Sequence, residues 1–160
     1  MHIITALKKI IVKKRRIAIV SDHAGFYLKG KIIKFMMNNG VELKDLGCHH
    51  YEETDDYPDF GHPLAIAVSN GEFELGISIC GTGNGINMTV NKHQGIRSAL
   101  CWNEEISRLA RKHNDANICA IPARFVNDSE ALLIVRAFLE TEFEGGRHKR
   151  RIDKIPLKMY

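Results

Sequence analysis

The chain has 160 residues, 44% of them hydrophobic and 26% charged, which suits one domain with a real core and excludes a disordered chain. No apolar run approaches the ~20 residues that span a bilayer, so no membrane segment is read. The net charge of +4 is compatible with anionic substrates and too small to argue for nucleic acid by itself.

Residues 1–15 are rich in Lys and carry no acid; they are read as an extension without assigned function, and residues 16–160 as one domain. Ile17–Val20 is a short apolar strand, and Ser21-Asp22-His23-Ala24-Gly25 a turn beyond it. Leu28, Ile32, Phe35 and Met36 recur at helical spacing, and Asn39-Gly40 ends that helix. Strand, polar turn and helix form the first unit of an α/β sheet, with Asp22 and His23 at the strand's C-terminal edge, where such sheets bind ligands. As residues alone they read first as a helix cap and a solvated turn residue.

Val41–Leu46 is a second strand, followed by a polar loop from Gly47 to Pro58. Within it, Cys48-His49-His50 lacks a second ligand pair at structural-zinc spacing and reads as loop. Pro58 marks the start of a helix running to about Asn70. The apolar run Leu75–Ile79 then ends at Cys80, followed by Gly81, Gly83 and Gly85 and a segment able to start a helix. Neither GxGxxG nor GxxxxGK[ST] fits, because Ile86 stands where the dinucleotide pattern needs glycine. A glycine-rich turn lets backbone N–H groups converge on an anion, and a thiol at its lip would be favoured as thiolate. An inert buried cysteine is the competing reading.

Gly95–Trp102 is the fourth strand. Asn103 caps a helix with Glu104 and Glu105 in its first turn and Arg108, Arg111 and Lys112 toward its end, matching the helix dipole. His113-Asn114-Asp115 closes it. Asn117–Ile121 is the fifth strand, with Arg124 in the following turn. Asn127 and Glu130 have capping-box spacing before a helix over Ala131–Leu139. The basic stretch 144–154 is a helix or a tail; as a helix it puts Arg147 and Arg151 on one face, where the pair can clamp a phosphate. Without interleaved aromatics it argues poorly for stacking on bases. The alternation predicts a three-layer α/β/α domain on a mostly parallel five-stranded sheet, with the candidate groups meeting along one edge. Four cysteines without a CxxC pair or a secretory signal point to reduced thiols and a cytoplasmic protein.

Together these residues resemble the type B ribose-5-phosphate isomerases, in the family that also holds galactose-6-phosphate isomerase subunits. The resemblance rests on SDHAG at 21–25, DYP at 56–58, ICGTGNG at 79–85, NK at 91–92, GIRSAL at 95–100, RKHNDAN at 111–117 and EGGRHKRR at 144–151. It implies an aldose–ketose isomerase with no metal or organic cofactor. Cys80 would be the base, since the branch using Glu after the turn has Ile86 here. His113 would open the sugar ring, with Thr82 and Asp22 nearby. His23, Arg124, Arg147 and Arg151 would hold the phosphate, and Tyr57 and Asn114 the sugar hydroxyls. Backbone N–H groups around Gly81, Gly83, Asn84 and Gly85 would stabilise the enediolate. The resemblance further implies homodimers, paired into tetramers in some members, with sites built from both subunits. Alternatives are a six-carbon aldose phosphate as substrate, or a non-catalytic phosphate-binding module.

Overall fold

The computed structural model describes residues 15–157, so apart from Arg15 the N-terminal extension lies outside the described residues. The elements follow in order: β1 (Ile17–Ser21), a 3-10 turn (His23–Gly25), α1 (Phe26–Asn38), β2 (Lys44–Asp45), α2 (Tyr57–Ser69), β3 (Leu75–Cys80), α3 (Asn84–Val90), β4 (Ser98–Leu100), α4 (Glu104–Asn114), β5 (Ile118–Pro122), α5 (Asp128–Glu140) and α6 (Arg147–Ile152). The strands form one sheet in the order β2-β1-β3-β5-β4, and every pairing is parallel. A sheet covered on both faces needs strands that are apolar throughout, and β1, β3 and β5 are buried at every position.

Helices α1, α4 and α5 cover one face, where Leu28, Ile32, Ala110, Ile134 and Phe138 pack on Ile19, Ile77, Ile79 and Ile121. Helices α2 and α3 cover the other, with Leu64, Val68, Ile86 and Val90 against Val20, Ile118 and Ala120. The three-layer reading therefore holds, with a sheet that is wholly rather than mostly parallel.

The edge strands are shorter than their apolar patterns suggest. In the segment read as β2, Val41 and Leu43 are buried in the core below α1, and only Lys44 and Asp45 pair with β1. In the fourth strand, Ile96 N closes a turn on His93 O and Arg97 N donates to the Asn117 side chain, so pairing begins at Ser98. Both caps form: Asn103 Oδ1 accepts from Ile106 N at 2.9 Å and Asn127 Oδ1 from Glu130 N at 2.8 Å. The second half of the capping box does not. The Glu130 carboxylate instead accepts from Glu104 N at 2.9 Å, tying α5 to the start of α4. The basic C-terminal stretch is helical at Arg147–Ile152.

Phe138 is fully buried between α5 and the sheet. Phe138→Ala is expected to cost about 3–5 kcal/mol, read as a lower denaturant midpoint at unchanged m-value.

Candidate active site

Strand β3 delivers Cys80 to the C-terminal edge of the sheet, 3% exposed, directly before the glycine turn. The turn is closed against β5 by Ala123 N to Cys80 O at 2.9 Å and Arg124 N to Gly81 O at 3.0 Å. Gly83 has φ +72, and a Cβ there would meet Leu100 Cδ1 at 2.4 Å, so only glycine lets α3 start this close to β4 and β5. A Cβ on Gly85 would meet the Tyr57 ring at 2.6 Å, which places that ring close against the turn from the start of α2. The Arg124 guanidinium lies over Gly81 in the same way, with Nε 3.3 Å from the position a Cβ would take. Thr82 Oγ1 accepts from Asn84 N at 3.3 Å, which leaves the hydroxyl proton free to donate to a bound oxygen.

The turn after β1 adds a charged group. Asp22 is buried, and its Oδ1 caps the 3-10 turn by accepting from Gly25 N at 3.2 Å. Burial raises its pKa, opposed by that hydrogen bond. His23 is held by a residue not singled out from sequence. Asp55 Oδ1 accepts from His23 N at 3.0 Å and lies 2.6 Å from His23 Nδ1. That carboxylate raises the His23 pKa and leaves Nε2 to face a ligand, near enough to Arg124 for their charges to interact. The only sequence trace of Asp55 is its place before the DYP stretch, where an acidic loop residue reads as solvated. Cys48 turns inward, with Sγ 3.7 Å from Ser21 Oγ, while His49 and His50 are exposed, in keeping with a loop.

The remaining candidates lie elsewhere. Helix α4 starts beyond the C-terminal end of β4 and runs back along the sheet, so its eleven residues carry His113 and Asn114 about 16 Å toward the opposite edge. There Arg97, just before β4, donates to Asn114 O, and Asn117 leads into β5. Helix α6 packs on α4: Glu144 N donates to Lys112 O at 3.0 Å, and the His148 ring stacks on His113 with centroids 4.3 Å apart and planes at 11°. His148 is buried, and its Nε2 has no hydrogen-bond partner; burial and the neighbouring His113 lower its pKa. Arg147 and Arg151 are exposed on the same short helix. The candidates thus divide. Cys80, Thr82, Tyr57, Asp22, His23, Arg124 and the glycine turn gather at the C-terminal edge; His113, Asn114, Arg147 and Arg151 gather at the N-terminal edge. The expectation that all meet along one edge of a single chain is not met, because a right-handed crossover returns each helix antiparallel to its strand.

Among the described residues, two clusters have donor atoms spaced as metal ligands: Asp22, His23 and Asp55, and His113, Glu144 and His148. In the first, His23 Nδ1 is already taken by Asp55. In the second, nearly parallel stacked rings keep their lone pairs from converging on one point.

The chain matches the Ribose/Galactose Isomerase family model over residues 17–155. It belongs to that family. It is 43% identical over 141 residues to ribose-5-phosphate isomerase B of Escherichia coli, covering 88% of this chain and 94% of that one. Among solved structures, the ribose 5-phosphate isomerase of Thermotoga maritima superposes with a TM-score of 0.86 at 43% identity, covering 89% of this chain and 98% of that one. Ribose-5-phosphate isomerase B of Mycoplasma genitalium, solved with bound ribulose-5-phosphate, gives 0.84 at 46% identity, covering 88% and 93%.

A protonated His23 beside Arg124 attracts an anion, and that attraction is lost as pH rises through the raised His23 pKa. Asp55→Asn removes the cause of the raise, so affinity for a phosphate ester is expected to begin falling at lower pH. The check is KM between about pH 6 and 9, with the His23 ring titrated by NMR. An unmoved alkaline limb rejects His23 as an anion ligand.

Proposed function

We propose that the protein interconverts ribose 5-phosphate and ribulose 5-phosphate through an enediolate, with Cys80 as base and His113 as ring-opening acid. The observation that carries the reading is the setting of Cys80: a thiol at the head of a glycine turn against which Tyr57 and Arg124 lie, with His23 near Arg124. In this reading the Cys80 thiolate takes the proton from C2 and returns it to C1. The backbone N–H groups of the turn and the Thr82 hydroxyl meet the oxyanion that forms between those steps. His23 and Arg124, with Arg147 and Arg151, bind the phosphate, so binding energy far from the reacting carbons fixes their position. Asn114 and Tyr57 contact hydroxyls, and Asp22 sits beside the ring oxygen. The sugar and its protein contacts supply every group the reaction needs, without metal or organic cofactor.

Because His113 and Cys80 stand at opposite edges of one chain, the reading requires a second copy. In a two-fold symmetric dimer, the N-terminal edge of one subunit completes the C-terminal edge of its partner. Exposed Tyr27, Trp102 and Phe125 around the C-terminal edge support a covering surface there. Residues 16–160 constitute the isomerase domain, with 1–15 an extension, in keeping with a family match that starts at 17. Four free, buried cysteines support a cytoplasmic setting, and among the described residues no helix is long and apolar enough to cross a membrane.

Cys80→Ala is expected to lower kcat by about 10²–10⁴ with KM nearly unchanged, whereas Arg147→Ala or Arg151→Ala raises KM roughly tenfold or more. A coupled assay of ribose 5-phosphate conversion checks both, and near-normal turnover by Cys80→Ala rejects the base. Mixing inactive Cys80→Ala and His113→Ala subunits, with dissociation and reassociation, should restore about a quarter of full activity, since each mixed dimer holds one intact site. No recovery rejects the shared site.

A further inference from the structure

The end of α4 departs from the usual chemistry of a helix terminus. Asp115, its C-cap residue, has φ 45 and ψ 44. It is the one non-glycine residue with positive φ among the described residues. Glycine is the common solution at such a position, because it enters the left-handed region without a Cβ penalty. Aspartate is tolerated there but gains nothing from the backbone alone. What it adds is a carboxylate, and both oxygens are engaged. Oδ1 accepts from Arg111 Nη1 at 2.9 Å, and Oδ2 accepts from Arg97 Nη2 at 2.9 Å.

The two arginines also hold the adjoining backbone. Arg97 Nε donates to Asn114 O at 3.1 Å and to Asp115 O at 3.0 Å, and Arg97 Nη2 donates to Asp115 O at 2.9 Å. Arg111 Nη1 donates to Ala116 O at 2.6 Å. Arg111 is itself 5% exposed and lies over the Phe138 ring, so its head group is fixed by the core. Arg97 is anchored through its own amide, which donates to Asn117 Oδ1 at 2.8 Å at the mouth of β5. The last carbonyl of the helix, Asn114 O, and those of Asp115 and Ala116 just beyond it are therefore closed by planar guanidinium forks. The residues immediately before this clamp are Asn114 and His113.

We propose that Arg97, Asp115 and Arg111 form a positioning clamp that aims His113 and Asn114 at the substrate held by the partner subunit. The clamp touches no reacting atom. It fixes the direction in which the end of α4 projects, and a group on a helix end moves as that end moves. This inference rests on the reading of His113 as the ring-opening acid.

The test separates ring chemistry from proton transfer. Ribulose 5-phosphate has no furanose form, so exchange of its C1 hydrogen with D2O needs the Cys80 base and not the ring-opening acid. Asp115→Asn tolerates the left-handed backbone but lacks the charge, and Arg97→Lys keeps the charge but lacks the fork. In each folded dimer, conversion of ribose 5-phosphate, whose furanose must be opened first, is expected to fall roughly 10- to 100-fold while C1 exchange of ribulose 5-phosphate, followed by NMR, stays within about threefold. Should one variant fail to fold, the other decides. Unchanged conversion overturns the clamp. Equal loss of conversion and exchange also overturns it, since a general disturbance of the site then suffices. His113→Asn, run alongside, should show the same split; if it converts normally, the reading of the acid has failed, and the clamp's function falls with it.

Discussion

The three central strands set nearly everything else. Ile79 pairs with Ser21 and Cys80 with Pro122, so β1, β3 and β5 end level with one another. Parallel strands in this register place the DHAG turn, the glycine turn and the Arg124 turn side by side. The same constraint sends each connecting helix back the other way, since a strand can meet the next parallel strand only after the chain has returned. A single sheet therefore creates two functional edges at once. One holds the thiol and its donors, and the other holds the imidazole and the two exposed arginines of α6. Separation of the thiol from the imidazole is a topological result of the fold.

Charge is arranged unequally at the two edges. At the C-terminal edge, cationic character is favoured by a carboxylate: Asp55 lies against Nδ1 of His23 and raises the pKa of the imidazole. At the N-terminal edge, the stacked His148 is buried with Arg147 and Arg151 close by, and its own charging is disfavoured. Charging of one histidine is thus favoured and charging of the other disfavoured. The second offers a flat surface against which His113 rests.

Much of this was legible in the sequence. Apolar runs and helical stripes mark β1, β3, β5 and their helices, because those segments are buried by period and position. Cys80, Gly83 and Arg124 stand out through the glycine turn and strand ends. The edge strands β2 and β4 were over-read, since apolarity at Val41, Leu43 and Ile96 reports burial and not pairing. Asp55 stayed hidden because an acid in a polar loop has no pattern until a histidine is seen across from it. The division of the site between two edges was equally hidden. It depends on the length and direction of α4, whereas motifs record only order along the chain.

Trp102 shows another side of this architecture. It is the sole tryptophan of the chain, 53% exposed, at the exit of β4 on the edge that carries the thiol. Its indole lies outside the core, so its emission is governed by whatever shields that rim from water rather than by the packing of the sheet. The protein therefore carries a built-in optical probe of the rim beyond β4. Intrinsic fluorescence and circular dichroism will follow different properties, the first the shielding of that rim from water and the second the integrity of the folded chain.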